Sequence, residues 1–180
     1  MPNQTLARRY ATAIFHLASE QHAQDALGRE LQMLSNAISE NEATREFFVS
    51  PVIEREQKER TLVATLGEKI SKLALHALLL LVRKRRETLL PEIVRQYGFL
   101  ELAARGLEPL TVTSAKKLDA QALWALVDRL EHIYGKKFEV TQRIQPDLIG
   151  GVRLLMGDRR IDGSVEGRIA ELSRTLFARN

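Results

Sequence analysis

Cysteine is absent from the 180 residues, which excludes a disulfide, a thiol nucleophile and any cysteine-ligated metal, and suits a reducing compartment. Histidine is scarce. His16, His22, His76 and His132 never fall in a His-x-x-x-His pair, so no zinc site is expected. Aromatic residues make up 6% of the chain, and Trp124 and the three tyrosines are scattered, which removes the stacking platform that single-stranded nucleic acid uses. No apolar run is long enough to cross a bilayer: Leu73 to Val82, broken by His76, is about half of the roughly 20 residues required. Membrane association is therefore expected only through partners. The first residues, with Arg8 and Arg9 followed by Tyr10 and His16, lack a signal peptide's long apolar core, so export is not expected. The basic excess is four charges, spread evenly along the chain, and no basic tail stands out.

What is present is a globular composition, 44% hydrophobic, in a chain long enough for one large domain or two small ones. Leu6, Tyr10, Ala13, Ile14 and Leu17 form a helical stripe, and Ala7, Ala11 and Ala18 stand beside it. That apolar surface is wider than one neighbour needs. Either the alanines pack inside a bundle, or they admit a closely approaching helix from elsewhere. Leu27, Leu31, Leu34 and Ile38 mark a second helix, with Gly28 a weak point. Ser39 and Glu42 read as a capping box for a short third helix ending at Ser50-Pro51, and Lys58 to Leu66 forms a fourth that stops at Gly67. Ser71 to Lys84 is a fifth, apolar nearly all round except at His76, so it must be covered on every side. Leu89, Leu90, Ile93, Val94, Tyr97 and Leu100 give a sixth, with Pro91 tolerable only in its first turn.

The helical period stops after Arg105. Gly106 and Pro109 bracket a break, and Leu110-Thr-Val-Thr-Ser alternates as a strand does. Asp119 caps a helix whose expected core face is Leu123, Leu126, Val127, Leu130 and Ile133; Phe138, Val140 and Ile144 alternate along a second strand. Strand-helix-strand order predicts a parallel pair. Gly157-Asp158 between two extended runs predicts a two-residue hairpin that sets Leu154 opposite Ile161. Asp162-Gly163-Ser164 then caps a last helix marked by Val165, Ile169, Leu172 and Leu176. The expected fold is α+β in two domains: a six-helix bundle over 1–105, then a small α/β domain with a mixed sheet over 106–180.

Catalytic readings fare poorly. Gly150-Gly151 to Gly157 lacks the Gly-Lys-Ser/Thr of a phosphate loop, and Asp158 would repel phosphate. Asp147, Asp158 and Asp162 sit at turns, where aspartate serves backbone hydrogen bonding, and are read as turn and cap residues in preference to a metal or acid/base set. Arg83 to Arg86 could contact nucleic-acid phosphates, but at a helix C-terminus the same charges complement the dipole and sit in solvent. No catalytic, cofactor or metal site is expected. A basic RNA- or ribosome-associated protein using residues 83–86 stays as the alternative.

The chain carries a resemblance as well, over nearly its whole length. Ala7-Arg8-Arg9-Tyr10-Ala11 with Ala13-Ile14-Phe15, Ser50-Pro51 followed by Lys58, and above all Pro146-Asp147-Leu148-Ile149-Gly150-Gly151, Gly157-Asp158 and Ile161-Asp162-Gly163-Ser164-Val165 resemble the delta subunit family of bacterial F-type ATP synthase. The mitochondrial relative is the oligomycin-sensitivity-conferring protein. Gly150, Gly151, Gly157, Asp158, Asp162 and Gly163 are the structural signature. The chain departs from the family pattern at His76-Ala77, Lys84-Arg85 and Gln145-Pro146. The resemblance implies a non-catalytic connector on the cytoplasmic side of the bacterial plasma membrane, held there through its complex. Its implied partners are the N-terminal helix of an alpha subunit, met by Ala7, Tyr10, Ala11, Ala13, Ile14 and Leu17 of the first helix and Leu75, Leu78, Leu79 and Val82 of the fifth, and the C-terminal end of the b-subunit stalk, met by the second domain.

Overall fold

Helical periodicity in the first hundred residues becomes six α-helices in the computed structural model, which describes residues 2–157 and 159–170. These are α1 (Pro2–Glu20), α2 (Gln24–Glu40), α3 (Glu42–Val49), α4 (Arg55–Leu66), α5 (Lys72–Arg83) and α6 (Leu90–Ala104), with a single 3-10 turn, Glu87–Leu89, leading into α6. Their ends follow from side-chain chemistry. Ser71 caps α5 by accepting from the Ala74 N–H at 3.2 Å, and its own hydroxyl donates to Glu30 of α2 at 2.5 Å. The third helix departs from expectation, since α2 runs through Ser39 to Glu40 and leaves that serine helical. Asn41, in extended backbone, caps α3 instead, accepting from the Thr44 N–H at 3.0 Å.

One apolar cluster joins all six helices, and its fully enclosed members include Ala7, Ala11, Leu31, Leu78, Val82 and Ile93. Small residues let α1 and α5 bring backbone close to that core, where each larger side chain from α2 and α6 then fills the space. Tyr97 of α6 packs edge-to-face on Phe15 of α1 at 5.5 Å between ring centres and donates its hydroxyl to the Gln24 carbonyl at 3.0 Å. Burial, with smaller contributions from Glu101 and Asp25, pushes its phenol pKa up.

A buried ion pair crosses the second half of the bundle. Lys58 of α4, 2% exposed, donates to Glu87 at 3.0 Å and to the Phe48 carbonyl at the end of α3 at 2.7 Å. The ammonium thus satisfies an orphan helix-end carbonyl and a carboxylate at once.

The chain divides into two compact units between Glu101 and Leu102. In the second unit β1 (Leu107–Ser114) and β2 (Lys137–Ile144) pair in parallel through α7 (Ala120–Tyr134), and β3 (Val152–Met156) and β4 (Arg159–Asp162) add antiparallel, giving the order β2-β1-β3-β4. Leu154 lies opposite Ile161, as the two-residue hairpin requires. Asp119 caps α7, accepting from the Ala122 N–H at 2.7 Å, and Gly135 ends it in the left-handed region at φ 63°. Leu110, Val112, Phe138, Leu154 and Met156 face Leu130 in one core. Ile133, expected in that core, is 62% exposed. The buried stripe of α7 takes the four-residue step from Leu130 to Tyr134, which packs against the core, and the three-residue step to Ile133 turns outward.

Removing one partner of the buried pair leaves an uncompensated charge. Lys58→Met should therefore destabilise the chain by about 3–5 kcal/mol, and Lys58→Met with Glu87→Leu should regain most of that loss. Denaturant midpoints of the two variants check this; a Lys58→Met midpoint equal to the native one would show that the pair is incidental.

Candidate partner-binding surfaces

The first-unit residues expected to meet a partner divide by burial. Ala7, Ala11, Leu78 and Val82 are fully enclosed, and Ile14 and Leu79 nearly so, all inside the bundle's own core. Tyr10 and Leu75 are half-buried at its surface. Ala13 is exposed, and Leu17 is 50% exposed. Of the two readings of the alanine stripe, internal packing describes Ala7, Ala11 and Ala18. On α1 half-buried Tyr10 and exposed Ala13 and Leu17 are spaced by three and four along one line, while Leu6 and Phe15 are half-buried against the core.

On α5 the outward line is His76 and Leu80, four residues apart, with Leu80 38% exposed. His76, expected in a core or interface, faces solvent in the described structure. Leu80 was not among the expected contact residues. Its signal was available: in a helix otherwise apolar all round, the one polar residue marks the outward face, and Leu80 stands one turn beyond it. Helix α5 is held at both ends, by Glu30 at Ser71 and by a two-point pair of Arg83 Nε and Nη2 with Glu59 at 2.9 and 3.0 Å. That guanidinium holds the Glu59 carboxyl below its ordinary range, chiefly by hydrogen bonding. Arg83, the first residue of the basic cluster, is therefore an internal brace.

In the second unit the glycine signature sets a close backbone crossing. The Gly163 N–H donates to the Val152 carbonyl at 2.9 Å and the Val165 N–H to the Gly150 carbonyl at 3.0 Å, so residues 150–152 and 163–165 run side by side. Gly151 lies between those bonds at φ +80°, and a Cβ there would come 2.4 Å from the Gly163 carbonyl oxygen. Gly157, also left-handed at φ +55°, begins the hairpin turn, while Asp158, like Leu172 and Leu176, lies outside the described residues.

Asp162 organises the start of the last helix. Its carboxylate accepts from the Ser164 N–H at 2.9 Å, the Ser164 hydroxyl at 2.5 Å and Arg153 Nε at 3.0 Å; Arg153 Nη2 also reaches Glu166 at 2.7 Å. Ser164 in turn accepts from the Gly167 N–H at 3.1 Å, the geometry of an N-cap. Among the described residues no three carboxylates or imidazoles converge as a metal site. The helix so begun, described over 165–170, leaves Val165 and Ile169 exposed one turn apart, and Ile149, which precedes the Gly150 that accepts from Val165, is exposed as well. Each unit thus carries an accessible apolar line and no catalytic constellation among its described residues.

The hydrogen bonds from Ser164, followed by Arg153, hold the Asp162 carboxyl below its ordinary range. A lowered folded-state pKa stabilises the cap above the unfolded value of about 4, and that stabilisation is lost as pH falls through the folded value. Amide-exchange protection at Gly167, corrected for intrinsic rates, should therefore decline below about pH 4 in the native chain and be flat with pH in Asp162→Asn. Protection independent of pH in the native chain would show that the carboxylate does not hold the cap.

Residues 6–176 match the family ATP synthase delta (OSCP) subunit. Similar proteins include the ATP synthase subunit delta of Methylobacillus flagellatus, 33% identical over 96% of this chain and 96% of that protein. The ATP synthase subunit delta of Symbiobacterium thermophilum is 34% identical over 99% of this chain and 96% of its own length. A chain in the cryo-EM structure of the Toxoplasma gondii mitochondrial ATP synthase hexamer shares the fold, with a TM-score of 0.74 at 23% identity over 96% of this chain and 97% of that one.

Proposed function

The chain belongs to the ATP synthase delta (OSCP) subunit family, and from that premise we propose that it joins the catalytic head of the enzyme to its peripheral stalk. As a member it is a non-catalytic subunit of the ATP synthase complex, serving ATP synthesis and proton transport. The finer assignment is that the six-helix bundle grips the head and the α/β unit grips the stalk.

The observation that carries this reading is the pairing of two separately cored units, each with an accessible apolar line. On the first, Tyr10, Ala13 and Leu17 of α1, with Leu75 and Leu80 of α5, are the groups that meet the N-terminal helix of the alpha subunit; Ala7, Ala11, Leu78 and Val82 shape that surface from beneath. An amphipathic helix lying on small and apolar residues at three- and four-residue spacing is an established recognition mode. On the second, Val165, Ile169 and Ile149 are offered to the end of the b subunit. No helix among the described residues is long and apolar enough to cross a membrane. Attachment at the cytoplasmic face of the plasma membrane then runs through the complex. The RNA-binding alternative has less support, since Arg83 is engaged by Glu59, and Trp124 and the three tyrosines are scattered along the sequence.

The test uses one accessible and one enclosed position. Leu17→Glu should leave the thermal midpoint unchanged while weakening binding to purified head complexes by about 30-fold or more, the effect of losing an interface anchor of roughly 2 kcal/mol. Ala11→Glu, at 0% exposure, should instead lower the midpoint, because its carboxylate would be buried without a partner. Native head affinity in Leu17→Glu, measured by titration calorimetry, would remove α1 from the interface.

A further inference from the structure

In the sheet order β2-β1-β3-β4, β2 and β4 are the edges. β4 is four residues long and carries Arg159 and Arg160, the short charged form in which an edge resists pairing, whereas β2 offers eight residues. Hydrogen bonds show which of its backbone groups face outward. The Gln145 N–H, just past β2, donates to the Ser114 carbonyl of β1 at 2.9 Å, while the Phe138 N–H is taken by the Glu131 carboxylate of α7 at 3.3 Å. Successive residues of a strand present their N–H and C=O to opposite sides, so Val140, Gln142 and Ile144 aim both groups at the open edge.

The side chains of this edge are complementary to themselves. Glu139, Thr141 and Arg143 are exposed and alternate with Phe138 and Val140, which pack into the core under α7. An antiparallel second copy centred on Thr141 sets Glu139 opposite its Arg143 and Arg143 opposite its Glu139, with the two threonines facing each other. These fall at the non-hydrogen-bonded pairs, where side chains approach most closely, while Val140 and Gln142 of the two copies exchange the backbone bonds. Sliding the copy by two residues one way sets Lys137 opposite Arg143; sliding it the other way sets Thr141 opposite Arg143 and Glu139 opposite Gln145. Charge and backbone parity therefore agree on one register.

Helix α7 adds an apolar contact on the same side. Trp124 is 70% exposed. It precedes Glu131 by seven residues, nearly two whole turns, and so lies on the flank of α7 from which Glu131 reaches β2. The parallel pairing of β1 and β2 makes α7 run against them, and seven helical residues span about 10 Å, equal to about three strand residues beyond Phe138. Trp124 thus stands on the open side at the level of Thr141, where a two-fold axis perpendicular to the sheet sets it against Trp124 of the second copy. Gln142 Oε1, the one buried side-chain acceptor without a hydrogen bond among the described residues, belongs to the same strip.

We propose that the free chain forms a two-fold dimer by antiparallel pairing of β2 with β2 of a second copy, centred on Thr141 and flanked by Trp124 from each α7. The sheet then runs through eight strands, and the edge that an unassembled chain would leave open is covered. None of the α1 and α5 groups, nor Val165 and Ile169, takes part, so this dimer stands or falls separately from the grips on head and stalk. One strand pair and one helix flank make a contact below standard interface size, and the Kd is on the order of 10–100 μM.

The experiment is sedimentation equilibrium of the full chain, from well below that Kd to about tenfold above it, with the emission of Trp124, the single tryptophan, recorded alongside. A monomer–dimer equilibrium is expected, with emission moving to the blue as dimer forms. Glu139→Arg alone, or Arg143→Glu alone, sets like charges opposite each other twice and should weaken the dimer by about tenfold or more at an unchanged thermal midpoint, since both positions are exposed. An equimolar mixture of the two variants should regain the native affinity, because in the mixed dimer every 139–143 pair joins opposite charges. A chain monomeric at every concentration would leave the edge to a strand of another protein and overturn the proposal. A dimer indifferent to both single variants, a mixture no more dimeric than its components, or a dimer in which Trp124 keeps the emission of an exposed indole would each overturn it as well.

Discussion

Lys58 is the point on which the later half of the bundle hangs. Taking an ammonium out of water costs several kcal/mol, and here that cost is offset only because Glu87 and the Phe48 carbonyl both reach it. One side chain therefore fixes the end of α3, the face of α4 and the turn that launches α6 relative to one another. Helix α5, lying between α4 and that turn in sequence, is then located by Glu30 at its start and Glu59 at its end. Polar pins at the helix ends leave the interior to apolar packing. The alanines of α1 and α5 can be wholly enclosed while Leu17 and Leu80 remain outside.

The second unit solves a different problem, how to start a helix against a hairpin with little chain to spare. Gly151 removes the Cβ that would meet the Gly163 carbonyl, and the freed approach lets two backbone bonds tie the segments together. Asp162 then serves three donors: the backbone and hydroxyl of Ser164 and the guanidinium of Arg153. Gly150 and Gly151, which looked superficially like part of a phosphate loop, are used in this crossing, and Gly157 begins the hairpin turn.

Much of this was legible in the residues. The bounds of α5 follow from Ser71 and the basic run, the parallel pair from strand-helix-strand order, and the Leu154–Ile161 register from a two-residue turn. What was not legible depends on tertiary neighbours. Periodicity said that Ala7, Ala11, Ala13 and Leu17 lie on apolar faces of α1, but not which of those faces α2 and α6 would cover. The Asn41 cap was hidden because α2 continues past Ser39, and Ile133 because the core stripe could step to either 133 or 134. Lys58 and Glu87 lie 29 residues apart in sequence, and no local pattern joins them. The exposed line of α1 could be found only once the covered faces were known, whereas that of α5 was marked in the sequence by His76.

A stator part must hold two partners at once, and joined modules gain avidity through effective concentration, often by about 10²- to 10⁴-fold over either alone. A continuous chain through residues 102–106 is what would turn two grips into a tether able to resist torque. The direct measurement is proton-driven ATP synthesis by complexes stripped of this subunit, resupplied either with the intact chain or with the same chain cleaved after Arg105. The intact chain should restore synthesis, and the two fragments together should leave headpiece ATP hydrolysis without coupled synthesis. Synthesis restored by separate, non-associating fragments to the level of the intact chain would contradict the account.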